Sequence, residues 1–217
     1  MLASKSRTQT ALFVGALVLC WFAALVADYT PLGQQLDRSR YDAALTQAPL
    51  RQRTPQSIVV AIDDETLRSK GGVAHQREIL AETLEALAVG QPTAVAIDVI
   101  LADPPADERL TKALQATPNL VLPCQLLENG TWEYPLPEFA VGAAAVGHVQ
   151  RPVAQLSDGI SRELNLEEIA KGNRRWALAL EAFRLASGKQ PILESPQDLT
   201  IGATLIPAPR SEEGRMM

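Results

Sequence analysis

Ile58-Val59-Val60-Ala61-Ile62-Asp63-Asp64-Glu65 is an unbroken apolar run that ends in three carboxylates. A continuous run of β-branched and small apolar residues reads as a strand buried on both faces, hence parallel and central in its sheet. The acids then fall at the strand's carboxyl end, where open α/β sheets place their ligand crevices. The pattern recurs at Ala94-Val95-Ala96-Ile97-Asp98, with a helical segment between the two copies. Strand, helix and strand predict a right-handed βαβ unit whose two acid-bearing ends open on one edge. The expected fold class is α/β: a central, mostly parallel sheet with a βαβ unit and antiparallel hairpins, preceded by one transmembrane helix.

Outward from this unit, the periodicity predicts a helix from Gln76 to Val89, with Ile79, Leu80, Thr83, Leu84, Leu87 and Ala88 on one face. Gly90 and Pro92 stop it. A second strand is expected over Ala94 to Leu101, then a short helix over Asp107 to Gln115 with Leu110, Ala113 and Leu114 inward. Leu120 to Leu127 reads as a third strand, which Pro123 assigns to a bulge or a sheet edge. Asn129-Gly130 is a hairpin signal joining it to Thr131–Tyr134. Val141 to Gly147 is a tight packing segment of small residues. Val146–Val153 and Ile160–Ile169 read as a second hairpin around Ser157-Asp158-Gly159. An amphipathic helix is expected from Asn173, as its cap, to Ser187, with Trp176, Leu180 and Phe183 on one face and Gly188 ending it. A short strand at Leu199–Ile201, a Gly202-Ala203 turn and Leu205-Ile206 follow. Leu205-Ile206 lacks an obvious partner strand, so the tail reads as a cut within the domain.

With 217 residues, 47% of them hydrophobic, the chain can bury one good core and a small appendage. Its 25 acids against 20 bases argue against a nucleic-acid partner. Cys20 and Cys124 sit in unlike contexts and read as small hydrophobes without a disulfide between them; no metal site and no cofactor are expected. Ala11 to Ala27 is uncharged, and Thr8 to Ala27 makes about 20 residues, the length of a membrane crossing. Lys5 and Arg7 precede it and the next charge is Asp28, so residues 1–7 are placed in the cytoplasm. A cleaved signal peptide and a buried core helix are the alternatives. The expected organisation is a cytoplasmic N-terminus over 1–7, a transmembrane helix over 8–27, a linker helix and loop over 28–56, and an extracytoplasmic domain over 57–217. Within the linker, Pro31 to Leu45 forms a helix whose stripe of Leu32, Leu36, Tyr41 and Leu45 packs either on its own domain or on a second chain, giving a homodimer. Thr46 to Gln56 is an exposed connection.

Several stretches taken together resemble a known family. Tyr41-Asp42, IVVAIDDETL from Ile58, Gly72…Arg77 and AVAIDVILADPPADERLTKAL from Ala94 occur in the order of the second class of CHASE domain. GHVQ from Gly147, SDGISREL from Ser157 and WALALEAFRLA from Trp176 continue it. The resemblance covers roughly residues 36–215. It implies an extracytoplasmic sensory domain of a bacterial receptor, anchored in the cell membrane, that binds an unidentified small-molecule or envelope ligand and relays it to an intracellular effector. It also implies that the domain itself is not an enzyme. Two departures stand out. The aromatic-proline turn the family places before the arginine matching Arg77 is replaced by Val73-Ala74-His75-Gln76. The family also continues past Ile206-Pro207 into further strands, membrane helices and an effector, so the effector is expected to lie outside this chain, which carries no cyclase, kinase or diguanylate-forming motif.

Asp63, Asp64, Glu65 and Asp98 are the leading candidates for ligand contact, as oxygen donors gathered at one sheet edge. The same acids also serve as turn caps that accept backbone N–H groups. Arg77 pairs with one of them in one reading and is a solvated first-turn residue in the other. Arg162, after the Asp158-Gly159 turn, is a candidate for holding an anion. His75 and His148 read as hydrogen-bonded loop residues. The alternative function is a secreted or anchored metal-dependent phosphohydrolase using Asp63 and Asp98.

Overall fold

Leu120–Leu126 (β2) is the strand on which the domain is built. Its first five residues are fully buried, and it pairs on both sides. Val95–Ala96 (β1) and Ala145–His148 (β4) flank it in parallel, and Trp132–Glu133 (β3) extends it antiparallel through the Asn129-Gly130 turn. The computed structural model describes residues 2–28, 30–48, 56–151, 164–210 and 216. They form two compact units, residues 1–60 and 61–217. Both expected classes of element are present: a mixed α/β architecture, with helices and a sheet containing parallel pairs beside antiparallel hairpins.

The first unit holds helices α1 (Leu2–Asp28) and α2 (Pro31–Gln47). Thr30 caps α2 by accepting the Gly33 N–H at 3.2 Å, and Pro31 occupies the first helical position, where no N–H is needed. Leu36, Tyr41 and Leu45, the expected stripe, are all exposed. Among the described residues no helix is long and apolar enough to cross a membrane. The connection expected over Thr46–Gln56 lies largely outside the described residues.

The chain departs from expectation where the first unit ends and the second begins. Ser57–Ile62 belongs to no strand; Ile58 and Val59 are 86% and 90% exposed, and Ile62 alone of the run is half-buried, against the main core. A buried parallel strand needs a hydrogen-bonded neighbour and a covered face on each side; none of these residues pairs in a sheet, and Ile58–Val60 are uncovered. Asp63 then caps a short helix, α3 (Asp64–Ser69). After a single 3-10 turn at Val73–His75 comes α4 (Gln76–Ala88); of its expected face Ile79, Leu80 and Leu84 are buried and Thr83 and Leu87 half-buried, while Ala88 is exposed and Ala81 is buried in its stead.

The βαβ unit exists one step later than expected, as β1, α5 (Glu108–Ala116) and β2. Asp107 caps α5 through the Leu110 N–H at 2.6 Å, and Leu110, Ala113 and Leu114 point into the core. Pro123 lies not at an edge but in the central strand. The Val95 and Ile97 N–H groups donate to the carbonyls of Asn119 and Val121. By that register the next bond would come from the N–H of residue 123, which proline lacks. β1 is therefore two residues long rather than eight. The pairing with β4 is unaffected, because Leu120, Leu122 and Cys124 supply the groups on that side.

Leu120 and Leu122 join Leu80, Leu84, Leu110, Leu114 and Phe139 in the main core. Phe139 comes from α6 (Pro137–Ala140), beside α5. On the other face α7 (Leu178–Ala186) packs against β2 and β4. Glycine permits that approach: a Cβ on Gly147 would lie 2.6 Å from Leu178 Cα, and one on Gly142 would lie 2.9 Å from Gln115 Cα. The expected hairpin of Val146–Val153 with Ile160–Ile169 is replaced by other pairings, and its turn, Ser157–Gly159, lies outside the described residues. β4 pairs with β2, while β5 (Glu167–Ala170) pairs antiparallel with β6 (Asn173–Trp176). Lys171 and Gly172 take positive φ, which a two-residue turn of this twist demands. Asn173–Trp176 is thus strand, not helix, and α7 starts five residues later than its amphipathic pattern suggested. β7 (Ile192–Glu194), β8 (Asp198–Ile201) and β9 (Thr204–Pro207) form a three-stranded meander, so Leu205-Ile206 does have a partner strand, β8. Leu199, Ile201, Ala177, Leu180, Ala208 and Met216 make a second core.

Candidate functional site

The acids singled out in the sequence do not share a sheet edge. Asp63 accepts the Thr66 backbone N–H at 2.8 Å and the Thr66 hydroxyl at 2.7 Å. These bonds hold its carboxyl below the usual value. It is a helix cap. Asp64 and Glu65 occupy the exposed first turn of α3, where they complement the helix dipole. Asp98 is exposed beyond β1 and forms no ion pair among the described residues. No group of three or more His, Cys, Asp or Glu among those residues is placed to hold a metal ion. Arg162 lies outside the described residues.

Arg77 pairs with none of these acids. Its guanidinium donates to the backbone carbonyls of Asp103 and Pro105 and lies 5.6 Å over the Phe139 ring. It fastens the Asp103–Pro105 turn to the start of α4. A cleft of about 80 Å³ opens there, bounded by Gln76, Arg77, Ile100 and Asp103. A second salt-linked surface joins α4 to α5, where Arg109 bridges Glu85 at 2.8 Å and approaches Glu78 and Glu82. Exposed pairs of this kind are weakly stabilising, and every group in them has a partner.

A larger cavity, about 200 Å³, lies between two hairpins. Gly130, Thr131, Trp132 and Tyr134 line it from β2–β3, and Lys171 and Asn173 from β5–β6. The Trp132 indole N–H donates to the Asn173 carbonyl at 3.3 Å and ties the hairpins together. Arg175 lies over the Tyr134 ring at 5.1 Å and donates to its hydroxyl oxygen at 3.0 Å. Trp132, on β3, and Tyr134, just past its end, both face the cavity. None of these residues was singled out in the sequence as a site. The Asn129-Gly130 hairpin and the alternation Trp132-Glu133-Tyr134 carried the signal, but its opposite wall depends on a β5–β6 hairpin read instead as a helix start.

The model of the CHASE2 domain matches residues 15–217. The chain belongs to the CHASE2 domain family. CHASE2 domains are extracellular sensory domains rather than catalytic ones. Neither the curated proteins nor the solved structures hold a match to the chain.

One buried polar group of this CHASE2 domain, Glu167, also escaped sequence reading, and His148, expected as a hydrogen-bonded loop residue, is instead the buried last residue of a strand. Glu167 is almost fully buried, accepts the Met216 N–H at 3.1 Å, and pairs with Arg174 at 2.6 Å and Arg210 at 3.4 Å. Arg174 Nη2 meets Glu167 as an ion pair without aligned hydrogen-bond geometry, while Nη1 bonds Glu194 at 2.8 Å. The cation stacks on Trp176 at 3.8 Å and lowers the Glu194 carboxyl. The network fastens β5–β6 to the meander and to Met216. His148, at the end of β4, is 1% exposed; its Nδ1 accepts the Gln150 N–H, and its Nε2 has no hydrogen-bond partner among the described residues. Burial pushes the imidazole down to about 4; the Asn165 backbone opposes that shift without a bonding geometry to Nε2. Its register partner Cys124 is buried too, with its thiol raised to about 11 by desolvation, so the pair is neutral and unreactive.

Proposed function

We propose that this chain is the input domain of a bacterial signal-transduction receptor, anchored in the cell membrane by α1 as a single pass. Residues 1–7 lie in the cytoplasm, the domain from residue 57 onward lies outside, and ligand binding is relayed to an intracellular effector. The domain acts by binding rather than turnover. The observation that carries this reading is the reach of the family match. It begins at residue 15, within α1, and so takes in the apolar helix together with the folded domain. Side chains on every face of α1 between Leu12 and Val26 are apolar and exposed. A helix apolar all round is covered by protein or by lipid. In sequence the uncharged stretch extends from Thr8 to Ala27, about the 20 residues of a span, and Lys5 and Arg7 orient it.

Reporter fusions after Asp28 and after Pro207 test the topology in bacterial cells. Alkaline phosphatase is active only outside the cytoplasm, and ordinary green fluorescent protein is bright only inside. Active phosphatase and a dark fluorescent reporter at both positions are expected. Fluorescence at either position contradicts the reading, and a mature protein starting just after Ala27 replaces the anchor with a signal peptide.

A further inference from the structure

The cavity between the hairpins has a definite chemical character once its hydrogen bonds are assigned. The Trp132 N–H is already given to Asn173, so the indole offers the cavity only its apolar face. The Thr131 hydroxyl and N–H are both committed to Asn129 Oδ1. Arg175 donates into the Tyr134 oxygen, which leaves the phenolic hydrogen free to be donated elsewhere. Lys171, held on the rim by the β5–β6 turn, forms no ion pair among the described residues. No carboxylate among the described residues lines the cavity. It therefore presents an ammonium, a phenolic donor and an aromatic wall, with no negative charge to oppose an anion. At about 200 Å³ it is smaller than the pockets that hold drug-sized molecules.

We propose that this cavity binds a small organic carboxylate with a ring or short apolar body. The carboxylate sits on Lys171 and the Tyr134 hydroxyl, and the apolar body lies against Trp132. Inorganic anions lack the body that would cover the indole, and neutral sugars gain nothing from the unpaired ammonium. Because the two walls belong to different sheets, an occupant bridges β3 to the β5–β6 hairpin, whose strands carry Glu167 and Arg174. The proposal names the ligand class of the sensory reading and rests on that reading for its role, but its test does not depend on topology.

Titration calorimetry on the detergent-solubilised full chain, with benzoate and phenylacetate as probes and inorganic phosphate and glucose as comparators, decides it. Saturable binding of at least one carboxylate is expected, with the comparators weaker. Lys171→Gln should weaken it about tenfold, the loss of one charge-assisted bond, and Tyr134→Phe should weaken it severalfold while keeping the ring. Both side chains are exposed, so circular dichroism should show both variants folded. Detergent partitioning would be the same for wild type and variants, which separates it from site binding. Three results overturn the proposal: no saturable carboxylate binding below about 10 mM, comparators binding as tightly, or carboxylate binding that neither substitution alters. If instead the reporters place the domain in the cytoplasm while carboxylate binding holds, the sensory reading fails and the site stands.

Discussion

Two apolar runs in this protein invite the same description and have opposite fates. Ile58–Ile62 is β-branched, free of proline and followed by acids; Leu120–Leu126 contains a proline. The first lies outside every strand and exposed except at Ile62, while the second is the buried centre of the sheet. Local β-propensity says that a segment suits a pleated surface, not that a partner exists for it. A partner on each side decides centrality, and the single missing N–H of Pro123 shortened the pairing with β1 without ending the pairing with β4.

The sharpest way to break this contrast is Leu122→Ala. Leu122 is fully buried between helices and sheet, so the substitution should cost about 3–5 kcal/mol in urea unfolding. A cost near zero would remove β2 from the centre. The contrast also has a pH dependence. His148 is held near 4 in the fold against 6.5 in an unfolded chain, so between those values only the unfolded state takes the proton. Stability from this group is complete above pH 6.5 and declines as pH falls toward 4, by on the order of 3 kcal/mol. His148→Phe should flatten that slope. The exposed carboxylates with lowered values, such as Asp63 and Glu82, keep their contribution above the usual carboxylate value and lose it as pH falls through that value, at the acid end of this window.

Asp63→Ala removes the α3 cap and should cost about 1 kcal/mol, with Asp63→Asn recovering most of it; a ligand-contacting carboxylate would not be rescued by the amide. The smallest effect is expected at the other run. Val59→Ala should change stability by less than about 0.5 kcal/mol, because little contact is removed. A loss comparable to Leu122→Ala would mean that Ile58–Val60 is packed after all.

Much of the fold was legible where one rule acted alone. The apolar faces of α4 and α5, the Asn129-Gly130 hairpin, the Leu199–Ile201 strand and the tight glycines at 142 and 147 follow from periodicity or turn chemistry. The misreadings arose where two rules competed. Asn173 suits a helix cap, but Lys171-Gly172 makes a hairpin turn first and draws Asn173–Trp176 into a strand. Asp63 has the residue type of both a ligand and a cap, and Thr66, three residues on, settles it as a cap. The candidate cavity was hardest to read, since its walls stand about 40 residues apart in sequence and meet only through the pairing of two separate hairpins.

Amide hydrogen exchange, resolved by residue, compares the two runs directly. The amides of Leu120–Leu126 should be among the slowest in the domain, with Pro123 contributing none, while those of Ser57–Ile62 should exchange as fast as an open loop. Equal protection in both runs would show that Ile58–Ile62 is hydrogen-bonded in the sheet, contradicting the placement of β2 at its centre and of Asp63 as a cap.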